Sequence, residues 1–170
     1  TKQEGIFLVY DLGGGTFDVS IAENINGKVN LLAHGGIEMC GGRDIDRMIF
    51  NQIVIPWLKN NFALPDDLLV NPKYKTFCRI AQWATERAKI ELSSMEFSTI
   101  ALSENETRTT DEAGNELYID LNLTRNQVNE LITDLVMETI EATRETLTKS
   151  GLSANDLERI VFVCGPTNYK

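Results

Sequence analysis

A chain of 170 residues that is 42% hydrophobic has enough apolar side chain for a packed interior and is too apolar for global disorder. Its formal net charge of −9, with no compensating Lys/Arg run, argues against nucleic-acid phosphates or an anionic membrane surface as partners. His34 and three scattered cysteines (Cys40, Cys78 and Cys164) offer no metal-ligand spacing, so reduced thiols in a cytoplasmic protein are expected. The longest apolar runs, "IFLVY" and "IVFV", are too short to span a bilayer. The first residue opens neither a signal peptide nor a start methionine, and an excised segment is expected.

Residues 6–10 read as a buried strand that reaches Asp11 and is followed by Gly13, Gly14 and Gly15. Phe17, Val19 and Ile21 then alternate with Thr16, Asp18 and Ser20, the period of a half-buried strand. Asn26-Gly27 signals a type I′ hairpin into a third strand over 28–33. "HGGIEMCGG" reads as a glycine-rich loop, after which Asp44 is expected to cap a helix with the stripe Ile45, Met48, Ile49, Ile53 and Trp57. Pro56 is expected to kink or end that helix.

Asn71-Pro72 starts a second helix, carried by Phe77, Ala81, Ala84 and Ala88 to about Leu92. Strands follow over 97–102 and 117–123, with the polar stretch 103–116 as their exposed connection. "TRNQ" (124–127) is a capping box that opens a long helix bearing Val128, Leu131, Leu135 and Leu147, which Gly151 ends. Residues 159–163 form a last strand. The order is βββ-α-α-ββ-α-β, and the return of a buried-type strand at the end suggests one core interrupted by an insertion.

A glycine run between two strands exposes backbone N–H groups and lets a bulky anion approach them closely. Phosphate suits such a nest. Asp11 could orient the water shell of a phosphate-bound Mg²⁺, and Thr16 adds a hydroxyl for a terminal phosphate. The alternative is a tight hairpin with no ligand. The Rossmann GxGxxG pattern fails because its last glycine is missing and a strand follows, and the P-loop pattern lacks its Lys-Ser/Thr pair.

"DLGGGTFDVSI" resembles the second phosphate motif of Hsp70 (DnaK-type) chaperones, within the actin/sugar-kinase/Hsp70 superfamily. In the same order, "CGGRDID" (40–46), "ERAKIELSS" (86–94) and "VFVCGPT" (161–167) resemble that family's GG-E-D-F-D loop, adenosine-contacting helix and adenosine loop. The resemblance spans the chain. It implies an α/β fold, an actin-like ATPase (ribonuclease H-like) lobe, with residues 1–41 and 126–170 as a IIA-like core, incomplete at its C-terminus, and 42–125 as an inserted α+β IIB-like subdomain.

It further implies ATP or ADP with Mg²⁺ as cofactors. Gly13, Gly14, Gly15 and Thr16 would meet the β/γ-phosphates, Asp11 the metal through water, and Gly42 the sugar–phosphate. Glu86 and Lys89 would bond the ribose and Ser93 the adenine edge, while Gly165, Pro166, Thr167 and Asn168 would lie at the purine. Asp11 and Thr16 would be the catalytic members. Read from spacing alone, Glu86 and Lys89 are a surface ion pair, and it is the resemblance that makes them site residues.

Three positions depart from the commonest family pattern. Cys164 stands for a glycine of the adenosine loop, Asn168 for an arginine that stacks on adenine, and Arg43 for a carboxylate. The function implied is the ATP-binding lobe of a chaperone that couples hydrolysis to binding and release of unfolded polypeptide in protein folding and the stress response. The alternatives are a non-enzymatic docking lobe or a lobe of another actin-superfamily ATPase. Implied partners are the opposite lobe, a GrpE-type nucleotide-exchange factor, a J-domain co-chaperone, and unfolded polypeptide through a domain not found in these residues. The opposite lobe's phosphate groups are likewise not found here, so these residues alone are expected to hold no nucleotide tightly and to be catalytically inactive.

Overall fold

A computed structural model describes residues 4–163. Contacts divide the chain into two compact units, Thr1–Asp44 with Thr133–Lys170, and Ile45–Ile132.

The first unit is organised by a four-stranded sheet in the order β3-β2-β1-β6. Strand β1 (Gly5–Leu12) pairs antiparallel with β2 (Thr16–Ile25), which pairs antiparallel with β3 (Lys28–Glu38). The last strand, β6 (Arg159–Val163), returns parallel to β1 and sets Val163 beside Asp11. The β2–β3 turn is the two-residue hairpin expected at Asn26-Gly27, with φ of 52° and 78°. The alternation of β2 also holds: Phe17, Val19 and Ile21 are fully buried, and with Leu8, Leu12 and Cys40 they form the core. Each such aliphatic or aromatic side chain contributes roughly 1.5–3 kcal/mol by leaving water.

Leu135, Ala142 and Leu147 of α5 (Arg125–Lys149) pack against that core. Tyr10 joins sheet to helix. Its ring lies 4.6 Å from that of Phe17, and its hydroxyl is 2.5 Å from Thr139 Oγ1. Because Thr139 itself donates to the Val136 carbonyl, the phenol is the donor. Thr124 and Gln127 close the capping box of α5 in both directions. At its other end Gly151, at φ 71°, donates to Thr148 and Leu152 donates to Leu147, a Schellman stop.

The stretch expected as a glycine-rich loop from His34 onward is instead largely strand. β3 runs to Glu38, and the two glycines inside it make room for neighbours. A methyl on Gly35 would meet Thr146 Oγ1 at 2.3 Å, and one on Gly36 the Phe17 carbonyl at 2.6 Å. Asp44 is not the cap of α1 (Gly42–Ile49), which begins two residues earlier. It sits in the first turn, where its charge faces the positive end of the helix.

In the second unit Pro56 neither ends nor breaks the helical path. α1 passes into a π-helical segment, Phe50–Val54, and then into α2 (Ile55–Asn61). A proline ring inside an α-helix collides with the carbonyl four residues back. Here the Ile55 N–H reaches the Phe50 carbonyl five residues back, and the widened turn relieves the collision. The insertion also changes the buried face. Ile45, Ile49, Val54 and Leu58 are buried, with a step of five across the π segment, and the expected Met48, Ile53 and Trp57 are only half-buried.

Asn71 accepts from Lys73 N–H and starts a 3-10 turn that leads into α3 (Lys75–Glu91). Phe77, Ala81, Ala84 and Ala88 are buried as expected. α3 packs on the two-stranded sheet of β4 (Phe97–Leu102) and β5 (Ile119–Thr124), which buries Ile100, Leu102, Ile119 and Leu123. The connection 103–116 is not simply exposed. It holds a single helical turn, α4 (Glu104–Thr107), with Ser103 and Glu106 as a capping box. It also buries Asp111, whose carboxylate takes the N–H groups of Ala63, Ala113 and Asn115 and the Asn115 amide at 2.8–3.1 Å. Burial would raise this carboxyl, but those four donors outweigh it and hold it at about 2.

Candidate functional site

Strand β1 stops at Leu12 and β2 starts at Thr16, and the Gly13 N–H closes the turn on the Thr16 carbonyl at 2.8 Å. Behind the turn stands the start of α1. Gly42 N–H donates to the Gly13 carbonyl at 2.9 Å and Arg43 N–H to the Gly14 carbonyl at 2.8 Å. In a trans peptide the C=O and N–H point to opposite sides. With both carbonyls turned toward α1, the N–H groups of Gly14 and Gly15 face away from it. No acceptor among the described residues takes either.

Gly41 makes this arrangement possible. A methyl there would lie 2.5 Å from the Gly13 oxygen and the Gly15 nitrogen, and 2.7 Å from the Gly14 carbonyl carbon. Those are backbone atoms with nowhere to swing. The neighbouring Cys40 is buried, and burial, aided by the negative charges of Glu138 and Asp44, pushes its thiol up to about 11. It is a packing group rather than a nucleophile.

Asp11 lies at the end of β1, half-buried, with Oδ1 out of contact with water and without a hydrogen-bond partner among the described residues. An orphaned carboxylate oxygen costs several kcal/mol unless a cation, a water or a ligand donor meets it. Its cross-strand neighbour Asp18 accepts from the Thr16 hydroxyl at 3.0 Å. Asp11, Gly13, Gly14, Gly15, Thr16 and Gly42 are therefore brought together in the first unit. The residues fit a polyphosphate with its cation: outward amides for the anion, and a carboxylate oxygen awaiting a partner. Gly42, however, spends its N–H on the turn and is buried.

Glu86, Lys89 and Ser93 form a separate group in the second unit, at the C-terminal end of α3. Glu86 is exposed. Lys89 pairs with Asp46 rather than Glu86, at 2.6 Å, both side chains being only about one-sixth exposed (15% and 16%). The Ser93 hydroxyl donates to the Ile90 carbonyl at 2.7 Å and so closes the helix end. Gly165, Pro166, Thr167 and Asn168, with Cys164, lie outside the described residues.

Sequence reasoning missed two participants. Gly41 is visible only as the first of a glycine pair before a helix, and its need for bare backbone arises from a turn 26 residues away. Arg43 was legible as an unusual residue but not as one seated on the turn, where its Nε donates to the Gly14 carbonyl at 3.2 Å.

Among the described residues no helix is long and apolar enough to cross a membrane. A family model described as Hsp70 protein matches residues 1–169. A match that runs from the first residue to the last but one leaves one conclusion: the chain belongs to the Hsp70 family of chaperone ATPases and carries an α/β, actin-like nucleotide-binding lobe.

Proposed function

We propose that this chain binds ATP and ADP with Mg²⁺, the phosphates lying on the Gly13–Thr16 turn, as one side of a chaperone's ATPase site. The observation that carries this reading is the pairing of two outward backbone N–H groups, on Gly14 and Gly15, with the orphaned Oδ1 of Asp11. Successive amides hold anionic oxygens, and a hard carboxylate oxygen suits a hydrated divalent cation.

In this reading Asp11 accepts from metal-bound water and orients it, and Gly13 keeps the turn closed. The Thr16 hydroxyl would turn its proton from Asp18 to the terminal phosphate. Bound Mg²⁺ would supply charge neutralisation for the phosphate oxygens. Gly42 allows close approach at the start of α1. Glu86 and Lys89 would reach the ribose, and Ser93 would reach the adenine edge with its oxygen as acceptor. Gly165, Pro166, Thr167 and Asn168 would flank the purine. Hydrolysis would drive binding and release of unfolded polypeptide. The opposite lobe, a GrpE-type exchange factor and a J-domain co-chaperone would be the partners, in the cytoplasm.

Calorimetric titration with Mg-ADP of the protein together with its opposite lobe tests the site. The protein should bind with a clear dependence on Mg²⁺, and Asp11→Asn should erase that dependence while leaving the fold intact. Equal affinity for ADP in Mg²⁺ and in EDTA, unchanged by Asp11→Asn, would refute the assignment of Asp11.

A further inference from the structure

The chain is acidic overall, and carboxylates flank both sides of the contact, Asp11 and Asp18 beside the glycine turn and Asp44 next to Arg43. Against them stands one cation placed by two separate contacts. The Arg43 backbone N–H and its Nε both donate to the Gly14 carbonyl, at 2.8 and 3.2 Å. The far end of the guanidinium lies against Gly15, where a methyl group would come within 2.6 Å of Nη2. Gly15 therefore leaves room for the guanidinium. The turn and Arg43 belong to the same compact unit.

Among the described residues only Nε of this side chain is engaged. Nη1 and Nη2 take no partner among the described residues, which leaves four of the five N–H donors of the fork without an acceptor. The two amides of Gly14 and Gly15 are likewise without acceptors among the described residues, so unsatisfied donors of two kinds border one turn. A planar guanidinium matches phosphate oxygens two at a time, which a lysine cannot do.

We infer that Arg43 is a direct ligand of the nucleotide's polyphosphate and makes the turn selective for di- and triphosphates over monophosphates. The Nε contact holds the fork in place, and its two terminal nitrogens take oxygens of the phosphate group next to the one that rests on the Gly14 and Gly15 amides. This inference rests on the phosphate-site reading above and adds to it a ligand that the glycine motif itself does not contain.

Binding of Mg-ATP, Mg-ADP and AMP by calorimetry across a KCl series, with the opposite lobe present throughout, tests it, with Thr16→Ala as a control for the site. Arg43→Ala should weaken Mg-ATP and Mg-ADP by about tenfold, ~1.4 kcal/mol, and leave AMP unchanged. It should also flatten the dependence of log Kd on log [KCl], and Arg43→Lys should restore that slope but only part of the affinity. Arg43 is exposed, so both variants should melt with the wild type. If Thr16→Ala weakens Mg-ATP while Arg43→Ala leaves it unchanged or tightens it, Arg43 is a brace or a plug, and this inference alone fails. If the wild type binds neither Mg-ATP nor Mg-ADP, the phosphate site itself falls and Arg43 with it.

Discussion

Replacing Gly41 by alanine should damage the turn and the fold together, by an amount the structure sets. The new methyl would stand 2.5 Å from two backbone atoms of the turn, where ordinary contact begins near 3.4 Å, so the turn and α1 must part by about 0.9 Å. Overpacking of this kind costs about 1–3 kcal/mol. The parting also strains two hydrogen bonds, from Gly42 to Gly13 and from Arg43 to Gly14, each contributing roughly 1 kcal/mol. The expected loss is ~2–4 kcal/mol, which for a chain of this length lowers Tm by roughly 4–16 °C. Gly14→Ala is the internal control, since the nearest atom to its methyl is Arg43 Nε at 3.9 Å, an ordinary contact. Thermal denaturation and Mg-ADP titration of both variants read the outcome. A Gly41→Ala protein that melts within 1–2 °C of the wild type and binds Mg-ADP equally well would show that the turn does not depend on bare backbone at that position.

Lys89→Met should destabilise the second unit by about 1–3 kcal/mol even without nucleotide, because it removes the ammonium paired with a mostly buried carboxylate; urea unfolding measures this. The Asp111 carboxyl is held at about 2 in the folded chain, below its unfolded value near 4, so its contribution is present above pH 4 and is lost as pH falls toward 2. Asp111→Asn should remove that part of the acid sensitivity, seen as a flatter Tm-versus-pH curve between pH 4 and 2. With its thiol near 11, Cys40 has on the order of 0.1% thiolate at pH 8 against roughly 10% for an ordinary cysteine, so Cys40 should react with iodoacetamide about a hundredfold more slowly than a free thiol; peptide mapping of the labelled native protein checks this.

Signals confined to a few neighbouring residues were legible. Asn26-Gly27 made its hairpin, Thr124 and Gln127 made their reciprocal cap, and the alternation of Phe17, Val19 and Ile21 set the buried face of β2. The glycine turn was legible as a candidate phosphate site for the same reason, since its glycines are contiguous. What escaped reading depends on distant partners. Pro56 looks like a stop because the rule assumes an α-helical register, and only a turn whose buried face steps by five residues resolves it. His34 to Gly36 looked like loop because glycine is permissive, while the strand they form needs glycine for Thr146 and Phe17 to approach. Asp111 sat in a polar stretch that composition marks as exposed, and four donors gathered from 63 to 115 bury it. Lys89 could have found Glu86 by helical spacing, yet its partner is Asp46, more than forty residues earlier.

The parallel pairing of β1 with β6 carries a cost in folding time rather than in equilibrium stability. Phe7 and Arg159 are partners about 150 residues apart in the chain, and the whole of Ile45–Ile132 is threaded between them. Closing a loop costs only about 0.6 kcal/mol per doubling of its length. If the inserted unit folds first, the loose chain shrinks by a little more than one doubling, a gain of ~0.7 kcal/mol. The insertion is thus nearly neutral for the finished sheet. Kinetically it is not: β1 can zip to β2 at once, but its other edge must wait for a strand that leaves the ribosome some 150 residues later. Until then one side of Leu8 and Tyr10 has no sheet neighbour, and the growing chain carries an open strand edge on which another chain could pair.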